Sequence, residues 1–140
     1  MNLTSMVNSV AEFAVGKLGL NFMGTMVLTV RGRKSGEPRS VVVNVLDLND
    51  KQYLLSPHGA SNWVKNVRAE GRLQLHRGKK RASYRASEVT DPEEKLAIMR
   101  AYLDRWSWQV RGFMGVDKSA SDDELRAIID KHPMFVLQRA

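Results

Sequence analysis

Two short stretches hold the residues best suited to chemistry. The first is Arg31-Gly32-Arg33-Lys34-Ser35-Gly36-Glu37-Pro38-Arg39. Its glycines let backbone N–H groups approach an anion, and Arg33, Lys34 and Ser35 add side-chain donors. The spacing is not that of a Walker loop, which needs Gly-x4-Gly-Lys-Ser/Thr. A solvated hairpin tip could use the same residues for solubility. The second stretch is Ser56-Pro57-His58-Gly59-Ala60-Ser61-Asn62-Trp63-Val64-Lys65-Asn66. Here a strand ends, Pro57 and Gly59 turn the chain, and a helix begins whose free N–H groups form a ready anion site. Trp63 offers an apolar face for a planar ring, and Asn66 shares its helix face. Taken singly, a core tryptophan and an asparagine bonded to a neighbouring loop would explain both.

Other candidates are weaker. In the basic run from Arg77 to Arg85, alternation puts Lys79, Arg81 and Arg85 on one strand face and Tyr84 opposite. That face could track a phosphate backbone, or simply be a charged edge strand that blocks aggregation. Trp106 and Trp108 are two apart on a helix and point different ways, one into the core and one free to line a cavity. His132 precedes Pro133 and suits a helix C-terminal cap, while His76 sits on a basic strand. Only His58 lies in a loop beside a candidate pocket. No Ser-His-Asp set, paired carboxylates or metal spacing stands out, so the sequence assigns no catalytic residue, no proton donor and no metal. Any redox chemistry would belong to a bound cofactor.

Charge supports an anion site. The 140 residues carry a net +7, yet residues 65–85 alone net +7 and residues 31–39 net +3, so the remainder is slightly acidic. Two basic segments on such a body predict nucleic acid, a phosphate-bearing cofactor or an anionic membrane as partner. Cysteine is absent, which excludes disulfides, thiolate nucleophiles and iron–sulfur ligation. No apolar run approaches the roughly 18 residues of a membrane span, and no secretory signal is apparent, so a cytoplasmic location is expected.

These stretches must be positioned by a single domain over residues 1–140, since two cores would each be too small. Residues 1–20 show helical spacing in Leu3, Met6, Val7, Val10 and Phe13, with one basic residue, Lys17. Strands are predicted at 26–31, 39–48 and 52–56, with Asn49-Asp50 as a tight turn. Val41, Val42 and Val43 in a row suggest burial on both faces. A helix from the Ser61 N-cap to about Ala69 ends at Gly71. Strands at 72–77 and 80–88 flank Arg77-Gly78-Lys79. Capping boxes at Thr90–Glu93 and Ser121–Glu124 open two helices, the first reaching about Arg111 and the second ending before Pro133. Met134–Gln138 closes the chain as a strand. The fold class is α+β, with five or six mostly antiparallel strands and about four helices. So many short strands in a small domain favour closure into a barrel.

The run Leu28-Thr-Val-Arg-Gly-Arg-Lys-Ser-Gly-Glu-Pro-Arg39, the strand to Leu55, and Trp63-Val-Lys-Asn-Val-Arg-Ala69 resemble the deazaflavin-dependent nitroreductase family, whose members bind coenzyme F420. His132-Pro-Met-Phe-Val-Leu137 resembles that family's closing strand. The resemblance covers most of 25–138 and implies a split β-barrel flanked by helices. It implies that Arg33, Lys34, Ser35 and Gly36 contact the cofactor's tail and phosphate, and that Asn44 approaches the ring. Ser56, Pro57, His58 and Gly59 would pass beside the ring or ribityl chain, and Trp63, Asn66 and Val67 would close the phosphate end. The implied activity is hydride transfer from reduced deazaflavin to an electron-poor acceptor: a quinone, an enone or a nitroaromatic. Related split-barrel proteins bind flavin mononucleotide (FMN), haem or fatty acids. FMN is thus the second cofactor, and a non-catalytic lipid- or flavin-binding module the second function. The expected partner is a small-molecule electron acceptor. Nucleic acid is not expected, membrane contact is at most peripheral, and the protein is a monomer or homodimer. Residues 111–131 lack the tyrosines that line the family's acceptor side; the aromatics near that segment are Trp106, Trp108 and Phe113.

Overall fold

The structure is a computed structural model that describes residues 24–140. The N-terminal helix expected over 1–20 lies outside the described residues. Six strands, β1 (Thr25–Arg31), β2 (Pro38–Leu48), β3 (Lys51–Leu55), β4 (Arg72–Arg77), β5 (Lys80–Glu88) and β6 (Met134–Arg139), form a closed antiparallel barrel in the order β1-β2-β3-β6-β5-β4. Helix α1 (Asn62–Glu70) joins β3 to β4, α2 (Pro92–Met114) follows β5, and α3 (Asp122–Arg126) leads through a 3-10 turn at Ile129–Lys131 into β6.

Adjacent residues on the strands enter different cores. Val45, Leu54 and Phe135 point into the barrel with Leu28, Val30 and Leu75. Leu46, Leu55 and Met134, one residue away in each case, point outward under α2 and meet Ile98, Met99, Tyr102, Leu103 and Trp106. A strand buried on both faces carries consecutive apolar residues rather than alternating ones. That reason holds at Val45-Leu46 and fails at the three valines: Val42 is exposed, because the cover of α2 begins further along β2, at Asn44. Helix α1 feeds Val64 and Val67 into the barrel cluster. Each gains about 1.5–3 kcal/mol by leaving water.

The turns follow their residue types. Asn49 and Asp50 both have positive φ, 54° and 63°, as a two-residue hairpin turn of type I′ demands. Gly71 closes α1 in the left-handed region, its N–H on the Val67 carbonyl. The Ser121–Glu124 capping box forms with both of its bonds. The other box is displaced by one residue. Asp91, not Thr90, is the N-cap of α2, and its carboxylate accepts from Glu94 N at 2.8 Å. Pro92 is best tolerated as the first helical residue, which fixes the cap at the position before it. The helix also runs past Arg111 to Met114, where Gly115 ends it. Finally, β5 is no edge strand: it pairs with both β4 and β6, so its charges guard no open edge.

Candidate functional site

The loop between β1 and β2 is wired to itself. Gly32 N donates to Glu37 O and Gly36 N to Gly32 O. Ser35 Oγ accepts from Glu37 N and from the Arg39 guanidinium, at 3.1 and 3.2 Å. A Cβ at Gly32 would lie 2.8 Å from Ser35 Oγ and 3.2 Å from Glu37 O, so a larger residue there would have to displace the Ser35 hydroxyl. The loop is then clamped to α1. Asn66 Oδ1 accepts from Arg33 N at 3.0 Å and from the Arg33 guanidinium at 2.8 Å. Asn66 is buried and Arg33 is exposed, so the clamp is shielded from water on the Asn66 side.

The clamp creates a cleft of about 610 Å³ between the loop, β2 and the start of α1. Arg33, Lys34, Ser35, Trp63 and Asn66 line it, as do Arg39, Val41 and Ser61, and among the described residues no carboxylate does. Helix α1 has no acidic residue in its first turn, so its unbonded N–H groups add positive potential. Ser61 is the N-cap, but its side chain makes no cap bond. Its Oγ is buried without a partner among the described residues. A buried hydroxyl left so costs about 1–3 kcal/mol, and an anion oxygen at that position would satisfy it. Trp63 packs on Phe135 with ring centroids 6.0 Å apart. Arg33 and Lys34, with Ser61 and the α1 amides, suit a phosphate or a carboxylate tail.

The other anticipated residues sit elsewhere. Gly36 faces a second cleft of about 480 Å³ on the far side of the loop, with Arg31 and Arg72. Val67 lies in the barrel core. Ser56 is fully buried; its Oγ donates to Gly59 O, and its carbonyl meets His132 Nδ1 at 3.0 Å. Gly59 has φ 80° and passes close to the Lys131 carbonyl. His132 caps the 3-10 turn, as a helix-end histidine should, and it also pins the loop after β3. Burial holds its imidazole below the usual histidine range, against the opposing bond to Ser56 O. Pro57 is partly buried in the same loop, and His58 stacks on Phe113 of α2, centroids 4.2 Å apart at 17°.

Asn44 lies on β2, three residues beyond Val41, with its side chain between β1 and α2. Its Oδ1 accepts from Thr25 Oγ1 at 3.1 Å, and its Nδ2 donates to Gln109 Oε1 at 3.0 Å and to the Tyr102 hydroxyl at 3.3 Å. Burial raises the Tyr102 phenol, so it stays protonated. Trp106 is the core tryptophan and Trp108 the exposed one. Sequence reasoning passed over Gln109. Its only signal was helical spacing, which puts it one turn from Phe113. No group of three metal-ligating side chains occurs among the described residues, and none of their helices is long and apolar enough to cross a membrane.

The family model for F420H(2)-dependent quinone reductase matches residues 4–119. No curated protein sequence is significantly similar to the chain. Among solved structures, the F420-H2 dependent reductase FDR-A superposes with a TM-score of 0.56 at 19% identity, over 82% of this chain and 94% of that one. HutZ, the haem storage protein from Vibrio cholerae, gives 0.56 at 12% identity over 100% and 92%. A FAD-binding protein from Mesorhizobium loti gives 0.56 at 17% over 89% and 86%. At such identities these likenesses establish the split-barrel fold and nothing finer.

Proposed function

The chain belongs to the F420H(2)-dependent quinone reductase family, and from that premise we propose that it is an F420-dependent oxidoreductase whose acceptor is a quinone. Enones and nitroaromatics are electron-poor in the same way and form the wider acceptor class. The observation that carries the reading is the Ser61 hydroxyl at the head of α1, buried without a partner among the described residues, in a cleft that Arg33 and Lys34 line and to which no described residue brings a carboxylate. An anionic cofactor end supplies what each of those groups lacks. Lys34, Arg33 and Ser35 would hold the glutamate tail and phosphate, with Ser61 and the first amides of α1 completing the phosphate shell. Trp63 would close that end.

Bound F420H2 supplies a hydride, that is, two electrons and one proton. The chain's own part is to neutralise the tail, fix the ring's direction and keep water from the contact. Asn44, which the resemblance puts near the ring, faces α2 on the opposite side of β2 from Val41, about 10 Å along the strand at roughly 3.4 Å per residue.

Titration of the purified protein with oxidised F420, followed by cofactor fluorescence, tests this. Saturable binding that weakens as salt shortens the screening length from about 10 Å at 0.1 M to about 3 Å at 1 M is the expected result. FMN, which lacks the glutamate tail, should bind more weakly. Absence of F420 binding, or binding indifferent to salt, overturns the reading in favour of a module for an apolar ligand.

A further inference from the structure

Arg31, Arg72 and Arg85 form a row across three strands. Arg72 on β4 lies directly opposite Arg85 on β5. Thr29 lies opposite Gln74, so Arg31, two residues further along β1, comes level with Arg72. Their chain neighbours Val30, Leu73 and Tyr84 point into the barrel, so all three arginines point outward. Neighbouring strands are about 4.8 Å apart, which gives the row a length of about 10 Å. Among the described residues none of the three makes an ion pair or a side-chain hydrogen bond, whereas Arg68, Arg100 and Arg126 all meet carboxylates. Like charges directly opposite on a sheet are destabilising, and an anion lying across them would reverse that. The row also has a hollow beside it. The cleft of about 480 Å³ on the far side of the loop is lined by Arg31 and Arg72, and by Thr29, Gln74 and Ser83 of the next row. The Arg31 guanidinium lies beside Gly36, 3.6 Å from where a Cβ would stand. Gln74 and Ser83 are exposed, and their side chains make no hydrogen bond among the described residues. Glu70 reaches the cleft too, but pairs with neither arginine.

We propose that this cleft is a second anion site, separate from the one between the loop and α1, and that its ligand is an oligophosphate: a chain of phosphate groups, free or carried by a nucleotide. Cations repeated along a line suit a ligand whose charges are repeated along a line. Guanidinium forks match phosphate oxygens in pairs, and the Gln74 amide and Ser83 hydroxyl add neutral donors below them. The inference goes beyond the F420 reading and does not depend on it, because Arg33, Lys34 and Ser35 line the other cleft.

Titration of the full chain with inorganic triphosphate, read by calorimetry and by the rise in Tm, tests this. Wild type should bind saturably. Arg72→Gln and Arg85→Gln should each weaken binding roughly tenfold, the scale of one charge-assisted contact. Without ligand neither variant should melt below wild type, since each removes a repulsion. Lys79→Gln, in the β4–β5 turn and outside the cleft, should bind triphosphate as wild type does. Saturating oxidised F420 should leave the triphosphate Kd unchanged. Tighter binding of ATP than of triphosphate would make a nucleotide the source of the phosphates, and equal or weaker binding would make it the free chain. Absence of triphosphate binding overturns the inference. So does an equal loss in Lys79→Gln, the mark of diffuse attraction, or displacement by F420, which would give the row to the cofactor's tail. Failure of F420 to bind counts against the proposed function alone, because triphosphate binding is first measured without cofactor.

Discussion

The cleft and the seam between β2 and α2 are each organised by a buttressing asparagine, but to opposite ends. In the cleft, Asn66 uses its oxygen twice on Arg33, and the result is a rigid cationic wall close to the backbone. At the seam, Asn44 uses its nitrogen on Gln109 and Tyr102, and the result is a neutral tie that fastens α2 to the sheet. The first arrangement suits permanent charge that must be held. The second carries no charge and holds one element on another. The two regions should therefore respond to different perturbations.

Asn66→Leu should have the largest effect. It leaves Arg33 N and the guanidinium without their shared buried acceptor, a loss of about 1–3 kcal/mol in folding stability. The loop is then released, so F420 affinity should fall more than tenfold. Denaturant unfolding and an F420 titration check this. Lys34→Ala comes next. It should weaken F420 by about 1–3 kcal/mol, the scale of a charge-assisted bond, with stability unchanged. Unchanged F420 affinity in either variant would break the comparison.

The smallest effect concerns neither region directly. His132 is held below its usual pKa chiefly by burial, so the folded state binds its proton less readily than the unfolded chain does. The stability linked to this neutral imidazole is complete above the unfolded value of 6.5 and is lost progressively as pH falls below it. Urea unfolding from pH 8 to 5 should show that slope. His132→Gln, which cannot titrate, should flatten it.

The two regions were not equally legible in the sequence. Both walls of the cleft announce themselves within short windows: a Gly/Pro turn rich in cations, and a helix start at Ser61. Their meeting through Arg33 and Asn66 joins residues 33 apart, yet each half could be read alone. Gln109 meets Asn44 across 65 residues, and nothing local marks either as a partner of the other. The same blindness explains Val42. Three valines report that a strand can be buried on both faces, but not how far along it α2 extends. Capping failed by a single residue for a local reason, since Pro92 outweighs the Thr-x-x-Glu spacing.

The closing seam of the barrel also has a consequence in time. Strand β6 lies between β3 and β5, and Leu54 pairs with Phe135. A chain growing from the ribosome exposes Gly32 through Asn66, the whole extent of the cleft, long before residue 134 emerges. Until then β3 and β5 each present an unpaired edge, and the apolar faces of Leu54 and Leu55 lack their cover. Contacts so distant in sequence form slowly, because the intervening chain must be ordered first. The nascent protein thus passes through an interval in which the half that holds the cleft can take shape while its sheet stays open. During that interval it is most exposed to misassociation with its neighbours.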